Sequence, residues 1–370
     1  KAYNDLEKTL ADLSAYDSST RKAAVLQGDS SLLAVQWRVH GVLTTALAGL
    51  DSNLTSLWQV GVTIQADGTM KLDSSKLQNA ISSNFADIAG LFAATGKTTD
   101  SLVNYVGATS STKPGGYALN VTTLATQGKL VGSAAAALTI SAGVNDTLLL
   151  HIDGIDGTIR IPAGTYTASS LAAQLQSSIN GTSAYSSAGI SVTASQSAGV
   201  LTITSNRYGS ASALTATGGT ALVDLLGATQ TSTAGVDVAG TINGVAAAGS
   251  GQTLTGAAGT DAAGLQAKIG GGTTGARGSI YHSQGYAYQL SALASAILDD
   301  NGSLAARTNG INQSIKDIDD QRTAFERHMT EVEARYRAQF TALDTMMSSM
   351  TQTSNYLQQQ LTSLQNLSKG

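Results

Sequence analysis

Four histidines, His40, His151, His282 and His328, are the side chains of this sequence best suited to moving protons or holding a metal. Their spacing serves neither purpose: there is no His-Glu-x-x-His helix, and no residue pair flanks any of them at ligand distance. Gly-x-Ser-x-Gly and Gly-x-x-x-x-Gly-Lys-Ser/Thr are also missing, and with no cysteine there is no thiol chemistry. "GGGTTG", 270–275, matches Gly-x-Gly-x-x-Gly letter for letter. The residues after it, "ARGSIYHSQ", do not begin a helix whose N-terminus could cradle a pyrophosphate, so a Gly-rich turn is the reading. Asp153 and Asp156 in "HIDGIDG" could be a carboxylate pair or a calcium loop, but Asp-Gly at that spacing is the dipeptide of a tight turn. The sequence therefore predicts no enzyme, no cofactor and no metal site.

Charge, rather than catalytic residues, is what the sequence concentrates. From Lys316 to Arg337, 11 of 22 residues are Asp, Glu, Lys or Arg, while the 165 residues from Ser111 to Gly275 also hold 11. Three of the four glutamates, Glu326, Glu331 and Glu333, fall in that short stretch; the fourth is Glu7. The stretch lies inside a long periodic segment. With Ile311 as d and Ile315 as a of a heptad, 13 of the 17 a and d positions through Leu367 are apolar, which predicts a coiled-coil-like helix of some 60 residues, roughly 90 Å long. Polar d positions at Gln339 and Gln360 have apolar neighbours at Phe340 and Leu361, so the stripe drifts as a 3.6-residue helix would. Candidate packing residues are Ile311, Ile315, Ile318, Phe325, Met329, Val332, Tyr336, Phe340, Leu343, Met346, Met350, Leu357 and Leu364. Arg322, Glu326, Glu333 and Arg337 flank the seam; they form either a solvated, salt-bridged face or the margin that selects a partner.

The elements around that helix are of two kinds. Tyr3, Leu6, Leu10 and Leu13 make an apolar stripe on a first helix. Asp29 caps a second, with Leu32, Val39, Val42 and Leu43 facing inward. "VGVTIQADGTMKLD" alternates about Asp67-Gly68 as a β-hairpin near 62–72, and Asp73 caps a further helix carrying Leu77, Ala80 and Ile81. After Pro114 the chain turns to short alternating runs bounded by Gly, Asn, Asp and Ser, interrupted by one amphipathic segment, "TASSLAAQLQSSIN", capped at Thr167 or Ser169.

Length and composition agree with several domains. The chain has 370 residues, 42% of them apolar but only 5% aromatic, with 40 glycines, which favours many short strands over an aromatic-lined pocket. A net charge of −4 without a basic block argues against nucleic acid, and no apolar run is long enough to span a membrane. The opening "KAYNDLEKTLADL" reads as already inside a helix, as if the chain were a piece of a longer one.

Particular strings then point to a family. "AYNDL", "GDSSLL", "GVTIQADGTMKLDSSKLQNAI" and "GLFA" near the start resemble the C-terminal half of the bacterial flagellar filament cap family, the second hook-associated proteins. "GARGSIYHSQGYAYQL", "NGINQSIKDID" and "EARYRAQFTALDTMMSSM" with "YLQQQL" look like its C-terminal leg, and Arg335–Phe340 is the most specific string. "NDTLLLHIDGIDGTIRIPAGTYTASSLAAQLQSSIN" is similar to a small β module shared by flagellins and hook-associated proteins.

The resemblance implies an α+β multidomain fold. Its coiled-coil-like leg would be formed by both ends of the chain, residues 1–97 and 281–370. A Gly/Thr-rich β region, 98–280, would be inserted between them and resemble flagellin outer domains. Within that insertion, 113–132 plus 233–275 would be one domain and 133–232 a second nested in it. It also implies a structural role: a homo-oligomeric ring at the distal tip of the flagellum, outside the cell, that retains flagellin and promotes its folding and insertion. Its partners would be flagellin, the hook–filament junction proteins, the flagellar export apparatus that secretes it and an export chaperone. Two other readings stay open: flagellin or a junction protein itself, and a surface adhesin whose β region binds host mucin or another glycan.

Overall fold

The computed structural model describes residues 1–367; the last residues of the expected 281–370 segment, and the side chain of the seam position Leu367, lie outside the described part. The chain divides into two compact units, one of residues 1–28 and 36–293, the other of 29–35 and 294–370.

The first unit begins with α1 (Ala2–Ser14) and a two-residue pair, β1 (Tyr16–Asp17) with β2 (Lys22–Ala23). Then come the later part of α2 (Ser30–Thr44), whose first turns belong to the second unit, a 3₁₀ turn at Leu57–Val60, the hairpin β3 (Val62–Ile64) and β4 (Met70–Leu72), and α3 (Ser74–Phe92). The hairpin forms where Gly68, at φ +83°, supplies the left-handed turn residue and the Asp67 carboxylate accepts from the Thr69 amide. Asp73 caps α3 by accepting from the Lys76 amide. α1 is not held by its apolar stripe: Leu6 and Leu13 are exposed, and the buried residue of this helix is Glu7, which accepts from Gln36 Nε2 at 2.9 Å. Polar clamps take over the docking. The Asn4 amide closes on both the N–H and the C=O of Met70, at 2.8 and 2.9 Å, and the Tyr3 hydroxyl donates to the Gly68 carbonyl at 3.0 Å.

The β region starts with β5 (Ala94–Thr98), β6 (Val103–Gly107) and β7 (Gly115–Thr123) and ends with β17 (Ala239–Ile242), β18 (Val245–Ser250), β19 (Thr253–Thr255), β20 (Gln266–Ile269) and β21 (Gly275–Gln284). These form one antiparallel eight-stranded sheet, ordered β5-β21-β7-β17-β18-β19-β20-β6. It runs past the expected limits of 98 and 280, because the ladder between β5 and β21 pairs Ala94 with Gln284 and His282 with Gly96. Its core is Val103, Tyr117, Leu119, Val121, Val238, Ile242, Leu254, Leu265, Ile269 and Ile280 with their neighbours.

Between β7 and β17 lies an insertion with a core of its own. Its elements are β8 (Gln127–Ala135), β9 (Thr139–Ile140), β10 (Thr147–Ile152), β11 (Ile155–Arg160), β12 (Gly164–Thr165), α4 (Ala168–Asn180) and α5 (Ser183–Ser187). They continue with β13 (Val192–Ser197), β14 (Val200–Tyr208), β15 (Leu214–Gly218), α6 (Leu222–Leu226) and β16 (Thr231–Thr233). A three-stranded sheet, β11-β10-β15, and a four-stranded one, β13-β14-β8-β16, share a core that runs from Leu130 to Leu226 and takes Leu171, Leu175 and Ile179 from α4. Thr167 caps α4 through the Ser170 amide. β8 begins at Gln127, ahead of the expected limit at 133, since its partners β14 and β16 are both in the insertion.

Small residues set how closely these layers approach. Tyr185 is fully buried with its hydroxyl on the Leu150 carbonyl at 2.6 Å, and its ring lies on Gly157, where a Cβ would come within 2.5 Å of ring carbon. Burial, with a smaller contribution from the Asp156 charge, pushes the Tyr185 phenol up to about 12. Gly157→Ala should therefore force ring or strand to shift and cost about 1–3 kcal/mol of stability. Urea unfolding of the variant against the parent chain, followed by Tyr fluorescence, measures it.

Candidate assembly surface

The second unit contains the end of α7 (Tyr286–Leu298) and all of α8 (Ser303–Leu367), 65 residues in one helix. At 1.5 Å per residue it is roughly 100 Å long. Of the thirteen seam residues predicted on it, twelve are between 43% and 67% exposed: Ile311, Ile315, Ile318, Phe325, Met329, Tyr336, Phe340, Leu343, Met346, Met350, Leu357 and Leu364. Val332 is half-buried. Met347, Tyr356 and Leu361, which the heptad assignment leaves out, are exposed beside them and widen the stripe. Monomeric soluble proteins seldom leave a contiguous apolar surface of this extent uncovered.

The charged flanks pair along the helix. Glu333 meets Arg337 at 2.7 Å, and Arg322 meets Glu326 at 3.5 Å and Asp319 at 4.0 Å. Arg335 lies over the Tyr336 ring, 5.7 Å from its centroid. All of these side chains are exposed, so each pair adds little to the stability of the free chain. In the single chain they form the solvated face, and Glu333, Arg335 and Arg337 lie within a turn of Tyr336 and Phe340.

One contact within this unit ties sequence-distant segments. Asp29 accepts from the Ser31 and Leu32 amides, capping α2, and from Arg307 Nη2 of α8 at 3.0 Å. The Ser31 amide first, and Arg307 next, hold the Asp29 carboxyl below the usual carboxylate range.

The other residues with chemical potential are structural in their settings. His151 pairs with Asp156 at 2.7 Å across a hairpin whose turn residues, Asp153 and Gly154, have φ +51° and +94°. Asp153 accepts from Ser205 Oγ and the Ala213 amide. The 270–275 loop wraps a side chain instead of a phosphate: Arg277 Nη1 donates to the carbonyls of Gly271 and Thr273 while its Nε donates to Asp100. A cleft of about 180 Å³ near α3 is lined by Asp51, Asp87 and Lys97, and the 3.0 Å ion pair of Lys97 with Asp51 occupies its polar wall. Among the described residues no three His, Cys, Asp or Glu side chains converge as metal ligands. Among the described residues no helix is long and apolar enough to cross a membrane.

Sequence patterning does not single out the apolar residues exposed on the helices of the first unit. Trp37 is 73% exposed, Trp58 60% and Phe85 76%. Their size was the available signal, since Trp and Phe are enriched where proteins meet.

Comparison with known proteins follows the same lines. The family model described as "Flagellar hook-associated protein 2 C-terminus" matches residues 1–131 and 163–352. Flagellar hook-associated protein 2 of Salmonella typhimurium is 40% identical over 67 residues, 18% of this chain and 14% of that protein. Its Escherichia coli K12 counterpart is 30% identical over 106 residues, 26% of this chain and 22% of that protein. The matched stretches thus span less than a quarter of those relatives. Among solved structures, the flagellar cap protein FliD D1-D2-D3 domains from Escherichia coli align over 58% of this chain and 66% of that one, at 20% identity and a TM-score of 0.38.

The Asp29 contact has a pH signature. Because folding lowers its carboxyl, the stability it contributes is complete above the ordinary carboxylate value near 4 and fades as pH falls below it. Asp29→Asn should remove that acid dependence and speed amide exchange at Ser31 and Leu32; an unchanged exchange rate would contradict the assignment.

Proposed function

The chain belongs to the flagellar hook-associated protein 2 C-terminal family, and on that premise we propose that it is the gripping part of a flagellar filament cap. The observation that carries this reading is the exposed stripe of α8. The stripe's large apolar side chains are about half covered already, so burying the rest of each is worth about 1 kcal/mol, and a helix of this length gains by binding something along it. In the proposal, copies of the chain form a ring at the filament tip. The helical segments at both ends of the chain make the leg, and the two β cores correspond to outer domains, one nested in the other. The leg faces flagellin and the hook–filament junction proteins. Retention of arriving flagellin and promotion of its folding follow from that placement, as do secretion by the flagellar export apparatus, with its chaperone, and a location outside the cell.

A cap has to let go as the filament grows. Gln339, Thr353 and Gln360 interrupt the seam with polar groups, which weakens association relative to an all-apolar one. The paired charges Arg322–Glu326 and Glu333–Arg337 add selectivity at the margins at little cost in affinity.

Tyr336→Ala combined with Phe340→Ala tests the reading, because both side chains are exposed in the single chain and their loss should leave folding intact. Circular dichroism of the purified variant should match the parent, while cells relying on it should lose most motility and release flagellin into the medium. Normal filaments on such cells would refute the proposal. Negative-stain microscopy of the parent chain separates a cap from a flagellin, which would polymerise into long filaments. Glycan-array binding by residues 98–280 would support the adhesin instead.

A further inference from the structure

His282 on β21 is 3% exposed, and among the described residues its Nε2 is the one buried side-chain polar atom without a hydrogen-bond partner. Its Nδ1 is 3.1 Å from the Tyr105 hydroxyl on β6, and the two rings stack with centroids 6.1 Å apart and planes 13° from parallel. The Tyr105 ring lies flat on Gly96 of β5, where a Cβ would come within 2.2 Å of it. On the backbone side, Gly49 at φ +76° approaches so closely that a Cβ there would sit 1.9 Å from the His282 carbonyl oxygen. In the ladder His282 stands between Gly96 and Gly115.

This is the place where the chain enters and leaves the eight-stranded sheet. α3 runs into β5 and β21 runs into α7, and the Gly285 amide donates to the Ala93 carbonyl at 3.0 Å. β5 and β6 are the two edges of the sheet. They are bridged by Thr98 Oγ1, which donates to the Val103 carbonyl at 2.6 Å, and by Tyr105, which reaches across β5 to His282. An uncharged imidazole suits this position. A protonated one would carry a buried charge with no carboxylate beside it, only the Tyr105 hydroxyl and the Thr95 backbone, which folded proteins rarely tolerate.

The surrounding ionisable groups do not provide a counter-charge. Tyr105 on β6 is a neutral phenol, and the Tyr117 hydroxyl on β7 donates to the Lys113 and Asp261 carbonyls. Lys97 on β5 is engaged by Asp51 from the preceding loop, with Asp87 on α3 adding to the field around it. Tyr281 on β21 packs over Gly116. No carboxylate acts on the imidazole; burial pulls it below its usual range, and the Thr95 backbone offsets only part of that.

We propose that the His282–Tyr105 contact is an acid-released latch. With the imidazole neutral it holds edge strand β6 to β21 and seals the seam between β5 and β6. When the imidazole takes a proton from water, the ring leaves its buried site and the seam opens. The sign follows from burial: the contribution is complete above about 6.5, the value of a free imidazole, and drains as pH falls, because the opened chain binds the proton more readily.

Nuclear magnetic resonance of the whole chain gives the first test. The His282 ring protons should titrate below the free-imidazole value of about 6.5, and amides of 94–98 and 103–107 should lose protection as pH drops from 7.5 to 5. That loss should approach about tenfold for each pH unit separating the folded and free imidazole values, after correction for intrinsic exchange. Amides in the 130–226 core should not follow. His282→Phe should abolish the acid dependence, and Tyr105→Phe, which keeps the ring and removes the hydroxyl, should weaken the seam at every pH. A His282 titration at or above the free-imidazole value, or exchange that rises equally in both cores, would overturn the proposal. Should His282→Phe not fold, the titration and exchange of the parent chain still decide between these outcomes.

Discussion

A 65-residue helix carrying a large apolar side chain every three or four residues can cover that stripe only with another long surface. Local side-chain pairs cannot do it. The i,i+4 bridges of Arg322 and Glu333 satisfy charges along the rod but leave Phe325, Tyr336, Phe340 and Met350 in water. In the proposed cap another helical surface supplies what is missing, and the rest of the molecule reads as what carries such a helix and what it displays.

The β region meets a different constraint. Nearly aromatic-free strands give up the large side chains that usually fill the space between layers, and gain close backbone approach in exchange. Gly157 under Tyr185 and Gly96 under Tyr105 show the arrangement twice: one large ring in each core rests on a position where even a methyl group would collide. Two separate cores, 130–226 and that of the eight-stranded sheet, follow from many short strands that each bury only a few side chains.

Where apolar contact is thin, polar groups hold the elements. Asn4 takes both main-chain groups of Met70, Glu7 is buried against Gln36, Asp29 caps one helix while holding Arg307 of another, and Arg277 gathers the Gly-rich loop onto Asp100. None of these groups is placed for catalysis. Each satisfies a backbone or charged group of a neighbouring element.

Local chemistry was enough to predict the elements that depend on neighbours in the chain. The caps at Asp29 and Asp73, the cap of α4 at Thr167 out of the two candidates Thr167 and Ser169, the turns at Asp67-Gly68 and Asp153-Gly154, and the long helix with its stripe all rest on interactions a few residues apart. Tertiary structure alone decided that α1 docks through Asn4 and Glu7 and not through Leu6 and Leu13, that β8 belongs with β14 and β16, and that β5 and β21 carry the sheet past both expected limits. It alone decided that His282, unremarkable among four histidines, is the buried one. Those outcomes join residues as distant in the chain as Ala94 and Gln284, and periodicity has no memory over such distances.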